Sequence, residues 1–179
     1  MALVTGVALV TGAGRGLGRA VAGDLARAGA TVAVVARSAD QLADIAREIR
    51  AAGGGAAACT ADLTPLGAAQ ELVTRAAREL GAIDVLVNNA GTVAPLGPTE
   101  SLDAAEVEAS YQLHVLAPMV LSAALIPAMR ARNWGRIVNV SSGIVANPAG
   151  MVGANTYAGV KSAWKHTRAT SPPSSTAPA

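Results

Sequence analysis

Thr11-Gly12-Ala13-Gly14-Arg15-Gly16-Leu17-Gly18 is the stretch whose reading decides the fold. Before it, residues 7–11 (VALVT) form an apolar run of buried-strand length. After it, residues 17–28 carry a helical pattern that stops at Gly29. Glycines between a strand and a helix allow a tight turn and close approach of backbone to a ligand. The helix that follows presents unpaired N–H groups and the positive end of its dipole, a natural seat for a pyrophosphate. The spacing is not G-x-G-x-x-G: starting from Gly12, Gly14 or Gly16, the last glycine falls on Leu17, Arg19 or Val21. A Walker A loop fails too, for want of Gly-Lys-Ser/Thr. T-G-x-x-x-G-x-G fits, through Thr11, Gly12, Gly16 and Gly18.

Outward from this turn, apolar strands alternate with helical patterns. Strands are expected at 31–36, 56–60, 83–88 and 136–140, and helices at 39–51, 65–80, 102–131 and 154–168. The helix 102–131 is expected to bend near Pro118 or Pro127. Near-continuous apolar strands alternating with helices imply a parallel sheet covered on both faces. The expected class is α/β, a Rossmann-like doubly wound sheet in a three-layer sandwich with strand order 3-2-1-4-5.

Composition narrows the function classes. The chain has 179 residues, 51% hydrophobic and 15% charged, enough for one buried core and unlike a disordered chain. With two Tyr, two Trp and no Phe, the core must be built from Ala, Val, Leu and Ile. One cysteine, Cys59, excludes a disulfide framework and a cysteine-ligated zinc site, and its place in a strand suggests a buried structural thiol. His114 and His166 have no metal-ligand spacing, so no metal is expected. A net charge of +2 with scattered arginines argues against a nucleic-acid partner. Met1 to Val10 lack a positive n-region, and no apolar run reaches the roughly 18–20 residues of a bilayer span. The expected setting is soluble and cytoplasmic, with no membrane partner.

Three further groups of residues could carry chemistry. Asn88-Asn89-Ala90-Gly91 follows the fourth strand, at the carboxyl end where ligands sit in a parallel sheet. Ser141-Ser142 follows the fifth strand at the same edge, where a hydroxyl can hydrogen-bond a substrate oxygen. Tyr157-Ala158-Gly159-Val160-Lys161 puts a phenol and an ammonium on one helix face. An ammonium near a phenol favours the phenolate, and a phenol so tuned exchanges a proton with a carbonyl oxygen.

Taken together and in this order, T-G-x-x-x-G-x-G, N-N-A-G, S-S and Y-x-x-x-K resemble the classical short-chain dehydrogenase/reductase family over residues 4–168. Ala61-Asp62-Leu63-Thr64 and the run Gly135 to Ser142 add to the likeness, which leans toward β-ketoacyl-carrier-protein reductases. The resemblance implies hydride transfer between a nicotinamide and a carbonyl or secondary alcohol of a small molecule. It casts Tyr157 as the acid/base, Lys161 as the group that tunes it and holds the ribose, and Ser142 as the group orienting the carbonyl. Ser141 could take the place of Ser142 after a register shift. Asp62, with Leu63, is placed at the adenine. Thr11, Gly12, Arg15, Gly16, Leu17, Gly18, Asn88, Ala90 and Gly91 line the remainder of the cofactor. The second strand ends at Ala36, without the acidic residue that would select NAD. Arg37 follows it, and Arg15 lies in the glycine turn; two guanidinium groups suit a 2′-phosphate, so NADP(H) is the expected cofactor.

Three departures from the family pattern stand out. His114 occupies the position where the family usually has an Asn that holds a proton-relay water; it either continues the relay or packs as a neutral histidine. The spacing from Ser142 to Tyr157 is slightly longer than usual, as an insertion in loop 143–153 would make it. The family also continues through two further strands and a substrate loop, whereas residues 169–179 read ATSPPSSTAPA, a pattern of disordered tails. The expectation is therefore a domain over 1–168, incomplete at its C-terminus through a truncated or frame-shifted coding sequence, with an exposed fifth strand. A catalytically inactive nucleotide-binding remnant or an unstable fragment are the alternatives. Homo-oligomers through helices 102–131 and 154–168 are implied by the resemblance.

Overall fold

A computed structural model describes residues 6–65, 67–147 and 150–163. Five strands, β1 (Val7–Thr11), β2 (Thr31–Ala36), β3 (Gly55–Thr60), β4 (Ile83–Asn88) and β5 (Arg136–Asn139), form one parallel sheet in the order β3-β2-β1-β4-β5. The helices are α1 (Gly16–Arg27), α2 (Ala39–Ala51), α3 (Ala68–Leu80), α4 (Ala104–Tyr111), α5 (Ala117–Ala131) and α6 (Asn155–Ser162). This is the doubly wound, Rossmann-like arrangement expected from the sequence.

Strand alternation sorts β1 into two cores. Ala8 and Val10 face α1 and α2 with Ala22, Leu42 and Ile45, while Val7 and Leu9 face α3 and α5 with Leu72, Leu121 and Leu125. The most buried large side chains are Leu and Val, and full burial of each is worth roughly 1.5–3 kcal/mol. Cys59 is free and buried in β3. At the lower end of β1 the register against β4 shifts between Val7 and Ala8. There the Asp84 carboxylate accepts from Val7 N at 3.1 Å and from Arg132 Nη2 at 3.1 Å.

Several element boundaries shift by one or two residues from the sequence reading, and three departures are larger. α3 begins at Ala68 rather than 65, because Gly67 at φ 92 adopts a left-handed conformation that no helix continues through. α6 runs from Asn155 to Ser162, with Ala154 and Ala163 as its caps; residues 164–168 of the expected helix, and the tail at 169–179, lie outside the described residues. The long helix is interrupted by a π-turn at Gln112–Leu116, where Ala117 N–H bonds to Gln112 O. Pro118 stands two residues past Leu116 and brings no N–H to the ladder, so the widened turn lies just ahead of the proline. Pro127 lies inside α5 without ending it.

Ala104–Ala131 as a whole is long and apolar enough to cross a membrane, with a mean hydropathy of 1.6 over 18 residues. No such stretch was expected from the sequence, since Ser110, Gln112, His114 and Ser122 interrupt the apolar run. In the fold it forms a wall of the second core, with Leu121, Leu125 and Met129 buried. β5 is the sheet edge among the described residues, and its Val138 is 49% exposed.

Candidate functional site

The carboxyl ends of β1 and β4 are joined through one hydroxyl. Thr11 is 2% exposed, and its Oγ1 accepts from Asn89 N and Ala90 N, both at 3.0 Å, and donates to Val87 O at 3.2 Å. Asn89 returns the tie, its Nδ2 donating to Thr11 O at 2.9 Å and Gly12 O at 3.3 Å. Sequence reasoning named Asn88, but that side chain turns inward and donates through Nδ2 to Asn139 Oδ1 at 2.8 Å, bridging β4 and β5. Asn89 was missed as a positioning residue, although it lies within the Asn-Asn-Ala-Gly motif.

This tie requires glycine at two places. A Cβ on Gly12 would lie 2.8 Å from Ala90 Cα, and one on Gly18 would lie 2.3 Å from Gly12 O. The first turn of α1 is thus drawn hard against the end of β1. Arg15 is the N-cap in an extended conformation and makes no side-chain cap, so the first N–H groups of α1 meet no capping side chain. Leu17, 58% exposed, borders the same opening.

The glycine turn opens into a cavity of about 700 Å³. It passes Arg15, Gly16 and Leu17, then Arg37, Ser38 and Gln41 beyond β2, then Asp62–Thr64 beyond β3, and reaches Ala90–Thr92 beyond β4. An elongated cleft across the strand ends, with a helix N-terminus at its middle, fits a dinucleotide. The Asp62 carboxylate accepts from Thr64 N at 2.9 Å; that bond, and more weakly Arg37, holds it below the usual carboxylate range. Ser38 caps α2 by accepting from Gln41 N, and the Gln41 side chain closes over Gly14, where a Cβ would lie 2.6 Å from its Oε1. No sequence signal places Gln41 there, because its direction depends on the packing of α2 against the turn.

Further along the strand ends lie Ser142, Tyr157, Lys161 and His114. Ser142 Oγ accepts from Ile144 N at 3.4 Å and caps the short turn Gly143–Val145, whereas Ser141 is exposed. Lys161 is 7% exposed and its Nζ donates to Val140 O at 2.9 Å, which ties α6 to the end of β5. Burial lowers its pKa. That Nζ stands 5.7 Å from the Tyr157 ring centre.

His114 is carried by the π-turn and is 3% exposed. Its Nε2 lies 2.8 Å from Thr92 O and 3.0 Å from Thr92 N, donating to one or accepting from the other according to tautomer. Its ring meets the Tyr157 ring edge-on, centres 5.8 Å apart. Gly91 leaves the room for it, since a Cβ there would lie 2.4 Å from His114 Cε1. Burial, and then the Lys161 charge, push its pKa down to about 4. His114 is therefore neutral at physiological pH.

A measurable consequence follows for stability. A folded pKa near 4 lies below the ordinary value of 6.5, so between these pH values the unfolded chain binds the proton and the native state does not. The stabilisation is complete above pH 6.5 and is lost as pH falls toward 4, by up to roughly 3 kcal/mol. His114→Asn is expected to flatten the decline of melting temperature in this window. A variant whose decline matches the parent's would show that His114 is not held neutral.

A family model described as short chain dehydrogenase matches residues 6–170. Over 143 residues the chain is 41% identical to the ketoacyl reductase HetN of Nostoc sp., covering 79% of this chain and 50% of that one. It is 38% identical over 145 residues to a short chain dehydrogenase of Pseudocercospora fijiensis, covering 79% and 46%. The chain thus spans about half the length of these curated relatives. Among solved structures, a metagenomic short-chain oxidoreductase in complex with NADP superposes with a TM-score of 0.83 at 38% identity, covering 90% of this chain and 72% of that one. With its sheet order, its glycine turn and its Tyr-Lys pair on one helix, the chain belongs to the short-chain dehydrogenase/reductase family.

Proposed function

We propose that this chain is an NADP(H)-dependent oxidoreductase acting on a carbonyl or secondary alcohol. The observation that carries the reading is the cleft continuous from the glycine turn past Arg15, Arg37 and Asp62 to Ala90–Thr92. A bound nicotinamide supplies the hydride in reduction and accepts it in oxidation. Thr11, Gly12, Gly16, Leu17 and Gly18 form the seat of the pyrophosphate, with Asn89 bracing the turn from β4. Asp62 and Leu63 border the adenine, and Ala90 and Gly91 form the floor toward the ring that reacts, the Asn88 side chain being turned to Asn139.

Ser142 Oγ donates to the substrate oxygen and polarises the carbonyl. Tyr157 Oη delivers the proton to that oxygen, or removes it in the reverse direction. Lys161 anchors α6 at Val140 O and places its charge beside the Tyr157 ring. His114 braces that ring and ties it to Thr92 of the cleft wall. The likeness to HetN supports a ketone as the carbonyl. Tyr111, Leu116 and Met119, 43%, 40% and 46% exposed on the long helix, support association of copies through that face. The free, buried Cys59 accords with a reducing, cytoplasmic setting.

Cofactor selectivity rests on charge. Arg15 and Arg37 are both exposed at the cleft, and β2 ends in Ala36 rather than a carboxylate. A ligand bound only by the native state stabilises it by about 2.7 kcal/mol at a concentration of 100 Kd. A cooperative melt is thus expected to rise by several degrees with NADPH and by less with NADH, and Arg37→Ala should remove most of the difference. A melt that neither cofactor moves would overturn the reading. Cofactor binding without turnover of any ketone would instead select a nucleotide-binding unit with no activity of its own.

A further inference from the structure

Two loops stand beside Ser142 and Tyr157, and both lack charge. From Val85 to Thr99, and again from Ile137 to Val160, the sequence has no Asp, Glu, Lys, Arg or His. The loops are fastened to each other: Gly97 N donates to Gly153 O at 2.9 Å, and Asn155 Nδ2 donates to Thr99 Oγ1 at 2.7 Å. A Cβ on Gly153 would lie 3.1 Å from Gly97 N, so the two backbones run in close contact. Next to this seam the chain exposes large apolar side chains. Leu96 is 51% exposed, Met151 40% and Val152 97%. One end of the seam adjoins Tyr157, two residues beyond Asn155, and the turn capped by Ser142 packs against the same helix, α6.

Apolar side chains left in water beside polar groups that could hold a reacting oxygen are the pattern of a small-molecule site. A carboxylate or phosphate laid along these loops would lose its hydration and meet no counter-charge in either one. Among the described residues the one lysine, Lys161, is buried and bonded to Val140 O. We infer that the substrate is an uncharged ketone, or the matching secondary alcohol, whose apolar chain lies against Leu96, Met151 and Val152. This rests on the oxidoreductase reading above and adds the class of substrate to it.

The test is binding to the whole chain saturated with NADP+, which cannot reduce a ketone. Kd is measured by ligand-detected NMR for butan-2-one, hexan-2-one, octan-2-one and 7-oxooctanoate, the last being the octanone with a terminal carboxylate. Each added methylene is expected to tighten binding about fourfold, if fully buried. Octan-2-one should bind at least tenfold more tightly than 7-oxooctanoate. Leu96→Asp and Val152→Asp, both at exposed positions, should weaken octan-2-one several-fold and leave the melting shift with NADP+ unchanged. A Kd that does not vary with chain length, or equal binding of the keto acid, would overturn the inference while the NADP+ shift still supports the oxidoreductase reading. If Leu96→Asp instead dissociates a dimer in light scattering and leaves octan-2-one binding intact, the apolar wall belongs to a second copy and the inference fails. Absence of any NADP+ shift in the parent chain would bring down the underlying reading first.

Discussion

Gly18→Ala will lower the melting temperature by roughly 10 °C, a loss of about 3–5 kcal/mol, because the added methyl has nowhere to go. Its carbon would lie 2.3 Å from Gly12 O, 2.4 Å from Asn89 Nδ2 and 2.8 Å from Gly12 C. Two of these atoms are backbone of the turn itself, and the third makes the bonds from Asn89 to Thr11 O and Gly12 O. To admit the methyl, α1 must lift from β1 or Asn89 must withdraw and leave buried carbonyls unpaired, each costing about 1–3 kcal/mol. The same change elsewhere in α1 has different signs. Gly16 has open space around its Cβ position but φ +56, so alanine there should cost only about 1–2 kcal/mol of backbone strain. Gly23 is helical, with only Arg27 Nη1 at 3.5 Å, and alanine there should stabilise by about 0.4–1 kcal/mol. Thermal melts of the three variants check the series. If Gly18→Ala melts like Gly16→Ala, the glycine turn is looser than these contacts require.

The series also shows why the turn was legible in the sequence while its fastening was not. β1, β2 and β4 have the expected bounds because each is an apolar run closed by polar or glycine residues, and burial on both faces leaves such runs little freedom. The glycine spacing identifies a strand-turn-helix without showing what pulls the turn tight. That depends on Thr11 and Asn89, which lie far apart in sequence and meet only because β1 pairs with β4. Asn88 and Asn89 differ in the phase of the strand end: Asn88 is the last residue of β4 and bonds to Asn139, and Asn89 is the first residue past it. Of the two prolines at which a bend was expected, Pro118 lies by the interruption and Pro127 does not; the interruption is a π-turn, and it is this turn that carries His114. A neutral packed histidine was one of two sequence readings at 114; what lowers its pKa, 3% exposure and the charge of Lys161 from another helix, depends on tertiary contacts.

Tyr157→Phe is expected to reduce ketone turnover by about 10²- to 10⁴-fold, the usual contribution of a positioned proton donor. The substitution isolates the hydroxyl. The ring that packs edge-on to His114, with planes 77° apart, is retained, and so is the face beneath Lys161 Nζ. Melting temperature and the shift with NADPH should therefore match the parent, which separates a lost proton donor from a disturbed fold. Substrate affinity should change little, since an interaction that matters mainly in the transition state appears in kcat and kcat/KM together. Lys161→Met provides the contrast. It removes the ammonium together with its bond to Val140 O, which fastens α6 to β5, so both turnover and melting temperature should fall. A Tyr157→Phe protein that turns over at the parent rate would show that the proton comes from elsewhere, and would remove the Tyr-Lys pair from the reaction while leaving the cofactor cleft as described.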